Sequence, residues 1–172
     1  EIEKGGVNFS AVEGKTPAKI AAALDIQDAD FYATGVSIVI HPKNPNIPII
    51  HMNIRYFEMD NGTWWFGGGI DLTPHLVDKE QAKFFHSELK KVCDAFDPDF
   101  YTKFKSLADD YFYIKHRNET RGIGGVFFDR LSDKNTNLSK EELFKFVVSL
   151  GESFAPIYIK LFDINRNKDF TQ

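Results

Sequence analysis

The sequence is short of several features that would have pointed elsewhere. Cys93 is its only cysteine, which excludes an internal disulfide framework and any cysteine-rich zinc site, and fits a reducing compartment. No basic block occurs, and 21 basic residues against 25 acidic ones give a net charge of −4. A phosphate-driven nucleic-acid binder and a membrane-surface protein are therefore disfavoured. The longest apolar runs are far too short to span a bilayer. HExxH, GxSxG and the P-loop are all missing, and RGIGGVFFD follows a helical stretch without GxGxxG spacing, so no dinucleotide fingerprint is present. Cys93 itself sits in an apolar helix stripe, as a buried thiol would, which argues against a nucleophile. No secretory or transit segment is visible at the start. There is no initiator methionine either, and EIEKGG reads like the middle of a chain, so a fragment is expected.

What is there in excess is aromatic: 17 Phe, 6 Tyr and 2 Trp in 172 residues. Such rings either build a large core or wall a cavity. Hydrophobic residues at 42% and charged residues at 27% are otherwise ordinary for a globular chain, and the length suits one domain over 1–172. VNFSAV (7–12) alternates like a strand. Residues 16–24 predict a short helix, with Thr16 as N-cap and Pro17 in the first turn. Strands follow at 32–40 and 49–59, and Asp60-Asn61-Gly62 is a strong hairpin turn into TWWFGGGI. Ala82, Phe85, Leu89, Val92 and Phe96 recur at helical steps over 79–96. A second helix carries Tyr101, Phe104, Leu107, Ala108, Tyr111 and Ile114 on one stripe and is expected to end near Arg121-Gly122. GIGGVFFDRL reads as a strand. Ser139 and Glu142 form a capping box for a last helix to about Leu161. Strands joined by a hairpin and followed by helices give α+β, with a mainly antiparallel sheet flanked by helices.

The stretch HMNIRYFEMDNGTWWFGGGIDLTP (51–74) breaks the pattern of a plain core strand. Alternate strand residues share a face, so His51, Asn53 and Arg55 lie together, opposite Met52, Ile54 and Tyr56. Ser37, Val39 and His41 share a face on the preceding strand, and the two polar faces merge if the strands are neighbours. Arg55 offers a fork for a carboxylate, Asn53 donates and accepts, and His51 can move a proton near neutral pH. The alternative is a merely solvated face. Three consecutive glycines require either a bulge or a ligand pressed against the backbone. Asp71 is a buried base, an acceptor for an N–H-rich substrate or a turn residue, and Trp64 and Trp65 exclude water or pack the core. Three of the five arginines, Arg117, Arg121 and Arg130, follow the second helix and offer a second carboxylate clamp. His41, His86 and His116 are either a metal set or ordinary core and surface histidines, since His86 and Glu88 are two apart on a helix and do not converge.

GGVNFS (5–10), TGVSIVIHPKNP (34–45), HMNIRYF (51–57), WWFGGGIDLTP (64–74), DDYFYIKHRNETRGIGGVFFD (109–129) and SFAPIY (153–158) together resemble the oxygen-dependent coproporphyrinogen III oxidase family. The resemblance runs from about Gly5 to Tyr158. It implies oxidative decarboxylation of two propionates of coproporphyrinogen III to vinyl groups in heme biosynthesis. The product is protoporphyrinogen IX, with O2 as oxidant and carbon dioxide and peroxide released. It implies no organic cofactor, a divalent metal claimed for some members and denied for others, and a homodimer when the full-length chain is present. The implied location is cytoplasmic, or mitochondrial for a eukaryotic source after removal of a transit peptide.

By resemblance His51 is the proton donor, and Ser37, Asn53, Ile54 and Arg55 bind substrate. Asp71 engages the pyrrole N–H groups, and His41, His86 and His116 match the metal ligands proposed for bacterial members. The expected chemistry has Asp71 drawing a proton from a pyrrole nitrogen, so that the electron-rich ring reacts with oxygen. The family's N-terminal helix and its later Gly-Arg-x-Glu-Ser loop have no counterpart here, so a truncated version of the family fold is expected. Two rival readings stand beside this one: a non-catalytic tetrapyrrole-binding module or inactive fragment, and a histidine-metal oxygenase.

Overall fold

The structure, a computed structural model, describes residues 1–16, 22 and 29–170. In chain order the elements are β1 (Ile2–Lys15), β2 (Asp30–Pro42), β3 (Ile49–Met59), β4 (Trp64–Thr73), α1 (Lys79–Asp94) and α2 (Phe100–Tyr111). These are followed by β5 (Tyr113–Ile114), β6 (Glu119–Thr120), β7 (Gly125–Leu131) and α3 (Lys140–Asn165). One five-stranded sheet runs β1-β2-β3-β4-β7 with every pairing antiparallel, and β5 and β6 form a separate two-stranded ribbon. The expected α+β class and antiparallel sheet are both present. The short helix expected over 16–24 lies almost wholly outside the described residues. At its start, the Thr16 hydroxyl donates to the Ala29 carbonyl at 2.7 Å.

The β3–β4 hairpin closes where Asp60-Asn61-Gly62 predicts it. Gly62 takes φ 83°, which only glycine adopts at little cost, and Met59 N–H donates to Thr63 O at 2.8 Å. Period-two alternation then sorts the sheet into two faces. Ile50, Met52, Phe66, Ile70, Leu72, Val126 and Phe128 are buried on one of them. The helices supply Phe85, Leu89 and Cys93 from α1, Phe100 and Phe104 from α2, and Leu143, Phe146, Leu150, Phe154 and Leu161 from α3. Phe104, Phe128 and Phe146 meet with centroids 5.1 to 5.8 Å apart. Much of the aromatic excess therefore fills this core, where each buried ring contributes about 1.5–3 kcal/mol. Burial pushes the Cys93 thiol up to about 12, so it is inert at neutral pH.

The helix ends are set by local chemistry. The Asp78 side chain accepts from Glu80 and Gln81 N–H to start α1, and Ser139 with Glu142 makes the expected capping box of α3. The second helix departs from expectation: it stops at Tyr111 rather than near Arg121. Tyr113 and Ile114 instead pair with Thr120 and Glu119, because Asn118 turns the chain in the left-handed region at φ 53°, a conformation asparagine tolerates. This early stop takes Arg121 off a helix surface and brings it back to the sheet.

Candidate active site

The second face of the sheet is polar, and β3 supplies its middle row. Ser37 of β2 stands opposite Asn53, and Gly35 opposite Arg55. On the other side His51 stands opposite Asp71, Asn53 opposite Gly69, and Arg55 opposite Gly67. His51, Asn53 and Arg55 therefore project together, over about 13 Å of strand. Val39 is the register partner of His51, and two residues on His41 brings its ring to 5.8 Å from that of His51.

Asp71 is almost fully buried, and the register alone places it beside His51. His51 Nδ1 lies 3.2 Å from Asp71 Oδ2. A carboxylate only accepts, so Nδ1 carries the hydrogen, leaving Nε2 without a protein partner among the described residues. Arg121 reaches the same carboxylate, with Nη2 at 2.9 Å from both oxygens. Its guanidinium lies 4.4 Å from the centre of the Phe112 ring, which holds it from behind. Three of the roughly four acceptor positions on Asp71 are thus filled. Asp71 is built to orient His51, with one acceptor position left, on Oδ1. The pairing with Arg121 was not legible in the sequence, because 50 residues separate the partners.

The glycines are explained by the strands beside them. A Cβ on Gly69 would lie 2.3 Å from Val126 O, and one on Gly68 would lie 2.3 Å from Asn53 O. The bulge reading holds: the β4–β7 register shifts between Phe66 and Gly68, setting Gly67 against the two residues Asp129 and Arg130. Gly67 has a second function. The Arg55 side chain crosses it to reach Asp129 at 3.1 Å, and a Cβ there would sit 2.9 Å from both Arg55 Nε and Asp129 Oδ1. Gly67→Ala is expected to change stability by less than about 1 kcal/mol, since both groups it displaces are exposed and flexible. It should weaken carboxylate binding several-fold, which titration with a porphyrin carboxylate checks.

Two adjoining depressions open on this face. One, of about 210 Å³, holds His51, Asp71, Arg121, Phe112 and Phe127. The other, of about 560 Å³, is walled by Phe57 and Trp65 with Arg55, Asp129 and Arg130. Both share Ser37, Asn53 and Arg55. Phe57 and Trp65 are stacked at 4.2 Å, so Trp65 walls the cleft, whereas Trp64 packs edge-on against Phe66 on the apolar side. A cleft of about 530 Å³ also lies on the opposite face, around Phe66, Lys140 and Phe144. Its one cation, Lys140, is already shared between Glu58 and the Tyr56 ring.

Other residues carried over by resemblance are not brought to this face. The Ile54 side chain points to the apolar side, where a Cβ on Gly151 of α3 would lie 2.9 Å from Ile54 Cδ1. His41, His86 and His116 do not converge, and no group of three metal-ligating side chains occurs among the described residues. His116 is exposed in the β5–β6 turn. His86 has both nitrogens engaged, Nε2 with Ile123 O at 3.0 Å and Nδ1 with Tyr101 Oη at 3.1 Å. The residues present therefore do not fit a three-histidine centre. Of the clustered arginines, Arg117 pairs with Glu119 and Arg121 with Asp71, so neither is an open clamp.

His86 instead ties α1 to the loop that follows Arg121. Burial pushes its imidazole below the ordinary value, and the neutral ring satisfies both neighbours by donating from Nε2 and accepting at Nδ1. The unfolded chain binds this proton near pH 6.5. The unfolded state therefore holds more protons below about pH 6.5, and stability is lost as the pH falls through that value toward the lower folded one. The melting temperature is expected to fall between about pH 7 and pH 5, and to fall less in His86→Gln. Equal slopes in the two proteins would contradict this role.

A family model described as Coproporphyrinogen III oxidase matches residues 1–172. The oxygen-dependent coproporphyrinogen-III oxidase of Drosophila melanogaster is 43% identical over 181 residues, covering 98% of this chain and 45% of the fly protein. That of Francisella philomiragia is 45% identical over 177 residues, covering 99% of this chain and 56% of the bacterial one. The mitochondrial human protein of the same name is 47% identical over 183 residues, covering 99% and 39%. The chain thus spans about half the length of the curated relatives it matches. A match over every residue, on a sheet whose polar face is carried by the same stretches, leaves one conclusion: the chain belongs to the coproporphyrinogen III oxidase family.

Proposed function

We propose that this chain carries the substrate-binding and proton-transfer face of an oxygen-dependent coproporphyrinogen III oxidase. The observation that carries the reading is the row His51, Asn53 and Arg55, projecting from one face over two adjoining depressions with Asp71 and Arg121 behind His51. Coproporphyrinogen III is apolar in its body and edged by four propionates. Phe57, Trp65, Phe127 and the bare backbone of the glycines suit the body. Arg55 suits a propionate, and Asn53 Oδ1, which accepts from Arg55 at 3.2 Å, holds the fork in place.

Each turnover converts one propionate, dioxygen and a proton into a vinyl group, carbon dioxide and hydrogen peroxide. The two electrons left when the carboxylate departs and the hydrogen on the neighbouring carbon is lost pass to oxygen. No organic cofactor enters this balance, and the chemistry asks the protein for placement and for proton traffic. His51 Nε2 supplies or takes the proton, with Nδ1–H fixed on Asp71. The remaining position on Asp71 Oδ1 can accept a pyrrole N–H, which draws electron density into the ring. General acid–base help of this kind is worth about 10²–10⁴-fold.

The test mixes the chain anaerobically with coproporphyrinogen III, admits oxygen and separates the products by chromatography. Divinyl product with peroxide supports the reading. Tight binding without oxygen consumption points to the tetrapyrrole-binding module instead, and absence of binding sinks both.

A further inference from the structure

The bulge opposite Gly67 does more than accommodate the glycines. Without an extra residue, alternation along β7 would send Arg130 into the core and Leu131 to the polar side. The bulge restores the phase: Phe128 and Leu131 are both buried, while Asp129 and Arg130 both border the larger cleft. Arg130 achieves this with φ 52°, a left-handed backbone that a side chain like arginine rarely adopts. Asn135 secures it, donating from Nδ2 to Arg130 O at 2.7 Å and accepting Ser132 N–H at 3.0 Å.

Charge pairing sets Arg130 apart. Arg55, Arg117, Arg121 and Arg166 are held by Asp129, Glu119, Asp71 and Asp163. Arg130 has no ion-pair partner among the described residues. The larger cleft therefore contains two guanidinium groups and one carboxylate, an excess of one positive charge. It lies beyond Arg55 from His51, at the Phe57–Trp65 end. A cation placed there would meet a substrate carboxylate other than the one beside His51.

We propose that Arg130 binds the second convertible propionate, the one not beside His51, while the first reacts; because the product carries a vinyl group there, Arg130 makes the site prefer a tetracarboxylate over a dicarboxylate tetrapyrrole. This rests on the proposed function above. Arg130 touches neither His51 nor Asp71, so its contribution is to affinity and substrate choice rather than to the chemical step. The same preference would favour release of product, which has two carboxylates fewer than the substrate.

The experiment titrates the chain with two fluorescent porphyrins, coproporphyrin III with four carboxylates and protoporphyrin IX with two. Arg130→Gly removes the side chain and relieves the left-handed backbone, so this variant should fold at least as well as the parent in thermal melts. Its affinity for coproporphyrin III is expected to drop about three- to tenfold, the size of an exposed charge-assisted contact. The salt dependence of that affinity should weaken, and the affinity for protoporphyrin IX should stay the same. Arg130→Lys should recover part of the loss. Unchanged coproporphyrin binding in Arg130→Gly, or equal loss for both porphyrins, overturns the assignment alone. A parent chain that binds neither porphyrin overturns the assignment together with the function it rests on.

Discussion

Replacing Asp71 with alanine is expected to lower vinyl formation by about three orders of magnitude, near the middle of the range for lost acid–base assistance. The carboxylate does two jobs at once. It accepts Nδ1–H of His51 at 3.2 Å, which leaves the other nitrogen without a protein partner among the described residues, and it anchors Arg121 through two contacts of 2.9 Å. Asp71→Asn separates orientation from shape. Its carbonyl oxygen can still accept from Arg121, but its amide would then present N–H toward His51 and force the hydrogen onto Nε2. A rate loss close to that of alanine is therefore expected for the asparagine, despite the same volume. Both variants should still fold. Arg121 is partly exposed and can be hydrated, so the loss is about 1–3 kcal/mol for charge-assisted hydrogen bonds. Chromatographic counting of vinyl product checks this, and near-normal turnover in either variant would remove Asp71 from the mechanism.

Gly125→Ala is expected to be the most damaging small substitution in the sheet. Gly125 is the register partner of Asp71, and a Cβ there would lie 1.9 Å from Ile70 O and 3.0 Å from Asp71 Cα. Both neighbours are backbone of a central strand, so no side chain can swing aside; β4 and β7 must separate. Overpacking against atoms that can relax costs about 1–3 kcal/mol. Here the loss should reach about 3 kcal/mol or more, lowering the melting temperature by roughly 6–12 °C for a chain of this size. The same shift moves Asp71, so substrate turnover should fall further than the lost stability explains. A variant melting within about 2 °C of the parent would show that β7 does not pair as described.

The sequence carried the sheet faces more clearly than anything else. His51, Asn53 and Arg55 could be put on one side, and Ile50 and Met52 on the other, from alternation alone. The Asp60-Asn61-Gly62 turn and the Ser139–Glu142 box announce themselves because each is a local hydrogen-bonding unit. What escaped is non-local. Asp71 could be a base, an acceptor or a turn residue until the register put it beside His51 and under Arg121. The end of α2 was hidden because Tyr113 and Ile114 continue an apolar rhythm that a two-stranded ribbon also satisfies. Arg130 would face the core if β7 were regular, and only the extra residue opposite Gly67 turns it to the cleft. The histidines also part in ways that only long-range contacts decide: His41 reaches the polar face, whereas His86 is engaged by Ile123 and Tyr101.

The most direct measurement is a crystal structure of this chain grown with coproporphyrin III. The predicted result is a macrocycle lying on the polar face, with one carboxylate against Arg55 and pyrrole nitrogen facing the Asp71–His51 pair. A porphyrin seated instead on the opposite side of the sheet, around Phe66, Lys140 and Phe144, would contradict the account.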